Sequence, residues 1–451
     1  MDTNSKQFAK MTETPVKKLV VTLGIPTTIS MLVTNIYNMA DTFFIGQIST
    51  SASAAVGIVF GLMAILQAFG FMYGQGAGSI ISRRLGQKNT EEAAIYGSTS
   101  LFLAIITGVL IAVIGFFNLE SMLKLFGSTK TILPYAKDYA TYIIIAGPFI
   151  MGSFVLNNVL RFEGKASVAM IGLVTGAVIN IACDPLLIFV FDMGIAGAGL
   201  ATAISQFISF CILLSLFVLG KSSIKLSNKY IRIRLRVIWE IVTTGFPSMI
   251  RQGLASISTI ILNRLAGNYT DACIAAMSIV NRINFFMFAF GLGMGQGFQP
   301  VCGFNYGAKK TGRVKEAFFF TLTLCEVALG TLAIIGFIFA PELVHVFRDD
   351  PEVVRIGKVA LRYSCLALFF QPLCVMSNMT FQATGQKKSA TFTAMLRSGL
   401  YYIPLLLVLS KYFGEKGLIL TQPISDVLTF ITVLPFIVVF IKRLGNTKEE
   451  K

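Results

Sequence analysis

The chain has 451 residues, of which 55% are hydrophobic and only 13% charged, with a mean hydropathy of +0.73. Soluble domains carry about a quarter charged residues, so a soluble globular fold is excluded. The net charge of +16 would suggest a nucleic-acid partner only if the basic residues clustered on a soluble face. They lie instead in short loops between apolar runs, which is a topology signal, and no nucleic-acid binding is expected.

Apolar runs long enough to cross a bilayer predict an all-α integral membrane protein of about 12 transmembrane helices. In the first half they fall near 19–47, 53–81, 91–117, 133–159, 166–191 and 196–219. In the second they fall near 237–267, 272–302, 314–340, 356–382, 389–411 and 417–441. Two six-helix lobes, 1–220 and 237–451, are thus separated by the basic segment 221–236, read as an interfacial linker. The polar, basic start of the chain gives no expectation of a removable signal peptide.

With the N-terminus in the cytoplasm, about 25 cations, including Lys448 and Lys451, fall on inner segments and about 8 on outer ones. Both termini are therefore expected in the cytoplasm. An even number of spans per lobe gives the two lobes the same polarity and predicts a pseudo-two-fold axis along the membrane normal.

The two halves are copies. Pro26 and Pro247 are separated by 247 − 26 = 221 residues, and the same shift carries Gly46 onto Gly267, Gly74-Gln75-Gly76 onto Gly295-Gln296-Gly297, and Gly164 onto Gly385. The copy breaks at Asp41, which becomes Leu262. The glycines at 70, 74, 76 and 78, repeated at 291, 293, 295 and 297, fit either close helix packing or local bending.

Ionisable groups inside a span are costly and mark function. Counting from the outer ends of their spans at 1.5 Å per residue puts Asp41 about 12 Å deep, with Asp184, Asn180, Thr202 and Tyr139 in the same layer. Asn180 lies one helical turn from Asp184 on the same face. Thr27, Ser30, Thr34, Tyr37 or Asn38, and Asp41 form one stripe along the first span. Pro185 removes a backbone donor, so the fifth span should bend and free a carbonyl near Asn180; Pro26 is the corresponding hinge candidate in the first span. Two acids in one buried layer must share protons or a cation, since both charges together are costly without compensation. Carboxylate, amide and hydroxyl oxygens also suit a hard alkali cation, so Asp41, Asp184 and Asn180 are candidate sodium ligands.

The second half offers no equivalent at the repeated positions, and carries Arg251, Arg282, Glu326, Arg362 and Arg397 instead. These are expected in ion pairs within the lobe or at the headgroups. The single histidine, His345, and seven cysteines without a C-x-x-C pair leave no expected metal cluster, cofactor or enzymatic acyl-transfer site.

These residues resemble the MATE (multidrug and toxic compound extrusion) transporters over essentially the whole chain. The resemblance is carried by the G-x-P opening of both repeats, D-T-F-F-I-G at 41–46 and G-Q-G-A-G-S-I-I-S-R-R-L-G at 74–86. N-x-x-x-D-P at 180–185, G-I-A-G-A-G-L-A-T-A-I-S-Q at 194–206 and Q-A-T-G-Q at 382–386 add to it. The first lobe is similar to the DinF-like branch, in which the residues matching Asp41, Asn180, Asp184, Thr202 and Tyr139 form the proton- or cation-linked network. The resemblance implies a monomeric antiporter in a bacterial or archaeal cytoplasmic membrane, exporting amphipathic organic cations in exchange for H+ or Na+. Tyr37, Asn38, Asn157 and Met31 are its candidate substrate contacts. A lipid or lipid-linked saccharide flippase is the alternative, and would lean on Arg251 and Arg282 to hold phosphates.

Overall fold

A computed structural model describes residues 3–446; residues 1, 2 and 447–451, with Lys448 and Lys451 of the basic count, lie outside the described residues. Helices dominate because lipid offers no partner for unpaired backbone groups. They are α1 (Thr3–Glu13), α2 (Val16–Gly46), α3 (Thr50–Gly86), α4 (Thr90–Leu125), α5 (Leu133–Phe162), α6 (Ala166–Pro185) and α7 (Gly194–Val218), then α8 (Leu235–Ala266) and α9 (Asp271–Gly307). The rest are α10 (Thr311–Ile338), α11 (Ala340–Phe347), α12 (Pro351–Leu368), α13 (Gln371–Ala383), α14 (Lys387–Met395), α15 (Tyr402–Phe413) and α16 (Glu415–Asn446).

Among the described residues, 10 helical spans are long and apolar enough to cross a membrane, and α12 with α13, bent by 51° at their junction, makes up to 11. The expected count of twelve takes in α8, which has 32 residues but carries Arg236, Glu240, Arg251 and Arg264. The bend falls where Gln371-Pro372 opens α13: proline lacks the N–H that would continue α12.

Contacts divide the chain into two units. One takes the chain up to Met11 and Ile29–Met249; the other takes Thr12–Thr28 and the chain from Ile250 onward. The division differs from the lobe boundaries read along the sequence, because α2 and α8 each contribute to both units and the linker docks on the first. Within that unit Ser227 N–H donates to Ser98 Oγ at 3.2 Å, and Arg232 N–H to Thr99 Oγ1 at 3.0 Å. The linker forms a short 3-10 turn at Asn228–Tyr230 and then runs extended without pairing into a strand.

The duplicated glycines are packing positions. In the first unit Gly76 of α3 faces Gly245 and the Ile241 carbonyl of α8, and a Cβ on Gly245 would overlap the Met72 main chain. In the second unit the same shift of 221 recurs: Gly297 of α9 faces Gly24 of α2. Backbones can come this close only where both helices lack a side chain. α2 itself runs unbroken through Pro26.

The turn between α5 and α6 is tied down by a buried carboxylate. Glu163 Oε1 accepts from Ser222 Oγ and Oε2 from Ser223 N–H, both at 2.6 Å, with Lys165 Nζ at 3.6 Å. Gln7 of α1 donates to the Glu163 carbonyl at 2.5 Å, which fastens the N-terminal helix here too. Burial pushes the Glu163 carboxyl above its ordinary value, with Lys165, Ser222 and Ser223 only partly offsetting it; burial likewise pushes Lys165 down. A carboxyl raised on folding stabilises fully below its unfolded value of 4.5, and that contribution is lost as pH rises. Glu163→Gln keeps an acceptor for Ser223 without the charge. The thermal unfolding temperature of the full chain should therefore fall more steeply as pH rises above 4.5 for the parent than for Glu163→Gln. Parallel curves would remove Glu163 as the cause.

Candidate functional site

The first unit gathers all five side chains of the expected polar layer. Helix α6 supplies a stripe at four-residue spacing, Gly172, Gly176, Asn180 and Asp184, and all four are buried. The two glycines bring α6 against α7: Gly176 lies beside Ser205 and Ser209, and Ser209 Oγ donates to the Gly172 carbonyl at 2.9 Å. Asn180 and Asp184 continue this packed face. Gly199 does the same for α7 and α5, since a Cβ there would stand 3.0 Å from the Tyr139 carbonyl. Thr202, one turn on, is thereby set beside Tyr139.

Tyr139 Oη donates to Asp41 Oδ2 at 3.1 Å. Asn180 Nδ2 reaches Asp184 Oδ1 and Thr202 Oγ1, each at 3.4 Å, which is long for a hydrogen bond. Asp41 is 8% exposed and Asp184 0%. The two carboxylates are near enough to repel each other. Asp41 Oδ1, Asp184 Oδ2 and Asn180 Oδ1 are buried with no hydrogen-bond partner, and no ion pair reaches either acid among the described residues. Three unpaired oxygens around two acids form an electronegative cluster that a proton or a small hard cation would satisfy. Among the described residues no group of three or more His, Cys, Asp or Glu side chains forms a metal site, so any cation would rest on two carboxylates with amide and hydroxyl oxygens.

α6 stays helical through Pro185, and the π-helical turn Leu186–Val190 begins directly after it, so the irregularity falls past the proline and not at Asn180, where the freed carbonyl was expected. Tyr37 lies close enough to feel both acids. Met31, Tyr37 and Asn38 are half-buried along α2. Asn157 is differently employed: its Nδ2 donates to the Ala169 carbonyl at 2.9 Å and bridges α5 to α6.

The second half has no acid at the repeat positions of Asp41 and Asp184, but it buries Asp426 of α16 at 1% exposure, an acid that the repeat comparison does not single out. The environment differs in kind. Arg397 Nε donates to Asp426 Oδ1 at 2.8 Å, Gln422 Nε2 to the same oxygen at 2.9 Å, and Gln371 Nε2 to Oδ2 at 2.9 Å. A fixed guanidinium and two amides saturate this carboxylate. Arg397 reaches it from a second π-helical turn, Leu396–Leu400, whose Arg397 and Ser398 carbonyls are taken up by Ser425 and Ser258 hydroxyls. Elsewhere in the second half Arg362 donates to the Phe337 carbonyl at 3.2 Å, Arg282 is exposed, and Glu326 is half-buried on α10.

The MatE family profile matches residues 26–186 and 247–408, one match per repeat. The chain is 27% identical over 428 residues to the multidrug export protein MepA of Staphylococcus saprophyticus, covering 95% of this chain and 94% of that protein. It is also 27% identical over 437 residues to MepA of Staphylococcus haemolyticus, covering 97% and 95%. The fold is similar, at TM-score 0.92 and 23% identity over 99% of this chain and 100% of the other, to an outward-facing multidrug resistance MATE family transporter of the MOP superfamily.

Proposed function

The chain belongs to the MatE family, and on that premise we propose that it is a secondary active multidrug efflux transporter. It exports amphipathic organic cations in exchange for H+ or Na+ by alternating access. The observation that carries the coupling half of this reading is the pair Asp41 and Asp184, buried together with three unpaired oxygens and no fixed counter-charge among the described residues. Such a pair takes up a proton or cation when one is offered and is strained when it is removed. Relatives named for multidrug export align over nearly the whole chain and support the cargo. The half-buried Met31, Tyr37 and Asn38 supply the polarisable and aromatic contacts that an organic cation prefers.

The protein is a multi-pass membrane protein of a transporter family. In our reading it acts as a monomer in the cytoplasmic membrane, with both termini inside as the basic loops require. The deciding experiment is efflux of a fluorescent organic cation from proteoliposomes under an imposed pH gradient or an imposed sodium gradient, one at a time. One gradient should drive export and the other should not. Export under neither would refute antiport.

A further inference from the structure

The second unit holds a guanidinium, Arg251, that no carboxylate bonds among the described residues. Helix α8 presents Arg251, Leu254 and Ser258 on one face toward the π-helical turn 396–400: Leu254 packs on Gly399 and the Ser258 hydroxyl bonds the Ser398 carbonyl. This places Arg251 near Arg397, close enough for the two guanidiniums to repel. Asp426 is the one carboxylate that bonds either guanidinium among the described residues, and it bonds Arg397.

Both guanidiniums are held in place while most of their donors stay unused. Arg251 Nη1 donates to Asn378 Oδ1 at 3.0 Å. Asn378 is itself fixed by its Nδ2, which donates to the Ala390 carbonyl at 2.7 Å and Thr393 Oγ1 at 2.9 Å. Arg397 commits only Nε to Asp426, lies 4.6 Å from the Phe288 ring centre, and keeps its side chain 26% exposed. No other bond to either guanidinium is found among the described residues. Gln371 adds an acceptor: its Nε2 must face Asp426, which can only accept, so its buried Oε1 is left without a partner.

Two pre-set guanidinium forks with free N–H groups match the geometry of an anionic oxygen group. An adjacent unpaired carbonyl suits an O–H on that group. We infer that Arg251 and Arg397, with Gln371 beside them, form a site for the phosphate of an amphipathic phosphate ester. The site lies in the opposite unit from the paired acids and does not depend on the coupling reading. It would extend the ligands of this chain from organic cations to amphiphiles with an anionic head.

Equilibrium dialysis of radiolabelled octyl phosphate against the full chain in phosphatidylcholine nanodiscs, with empty nanodiscs subtracted, tests this. Saturable binding is expected, with octylammonium of equal chain length failing to compete. Arg251→Gln should weaken it about tenfold or more, the scale of one lost charge-assisted contact. Arg397→Lys keeps the charge on Asp426 but loses the fork, and should also weaken binding. Asp426→Asn releases Arg397 and should tighten it. If phosphatidylglycerol in the nanodisc displaces octyl phosphate, the natural source is a lipid headgroup; if it does not, it is a free amphiphile. No saturable binding, equal competition by octylammonium, or affinity unchanged in both arginine variants would overturn the site.

Discussion

Replacing Asp184 or Asp41 by asparagine is expected to reduce gradient-driven efflux to the level of protein-free vesicles, with the variant still present in the membrane at parental amounts. Asparagine matches aspartate in size, and both positions are closely packed, Asp184 on the α6 face that meets α7 and Asp41 against Tyr139. Folding therefore loses little volume, and in Asp41→Asn the new amide oxygen can still accept from Tyr139. What disappears is the charge. With one carboxylate left, the layer no longer carries two like charges whose mutual repulsion has to be relieved from outside. The measurement pairs drug-resistance growth assays with immunoblots of membrane fractions and with liposome efflux. Normal export by both variants would refute the assignment of coupling to this pair.

The second large effect is on stability. Arg397→Met leaves Asp426, 1% exposed, without its counter-ion, and losing one partner of a buried pair costs about 3–5 kcal/mol. The double change Arg397→Met with Asp426→Leu removes both charges and should recover most of that loss, since replacing a whole pair by apolar groups is often neutral. Unfolding of purified protein in mixed micelles by increasing denaturing detergent gives the two values. A single variant as stable as the parent would mean that Gln371 and Gln422 alone suffice for the carboxylate.

Much of the candidate site was legible because helix rise and span polarity are nearly fixed by the bilayer. Asp41, Tyr139, Asn180, Asp184 and Thr202 could be put at one depth before any contact was seen, and the structure brings all five together. The α6 stripe from Gly172 to Asp184 was also present as a four-residue spacing, and it explains why that depth is a packed interface. Asp426 is invisible to a comparison of the two copies at the positions of the first-half acids. Its own equivalent is residue 426 − 221 = 205, a serine, so comparing the copies at Asp41 and Asp184 could not point to it. An acid within the last apolar run, with Gln422 one turn before it, was the available signal. The second π-helical turn ends four residues before Pro404, which leaves the Leu400 carbonyl without a helical donor, but its Arg397 and Ser398 carbonyls are satisfied by serines from other helices, which sequence alone does not place.

Two copies of one ancestral bundle have solved the same problem, a carboxyl placed where water is scarce, in opposite ways. Around Asp426 the compensating cation is built into the chain as Arg397 and cannot leave. Around Asp41 and Asp184 the chain supplies none among the described residues, so neutrality has to come from the medium. A permanent counter-ion is deaf to any gradient across the membrane, whereas a visiting one is delivered or withdrawn by it. On the coupling proposed above, sensitivity to an external ion is confined to one half of a duplicated protein, and the other half is left free to diverge in what it binds.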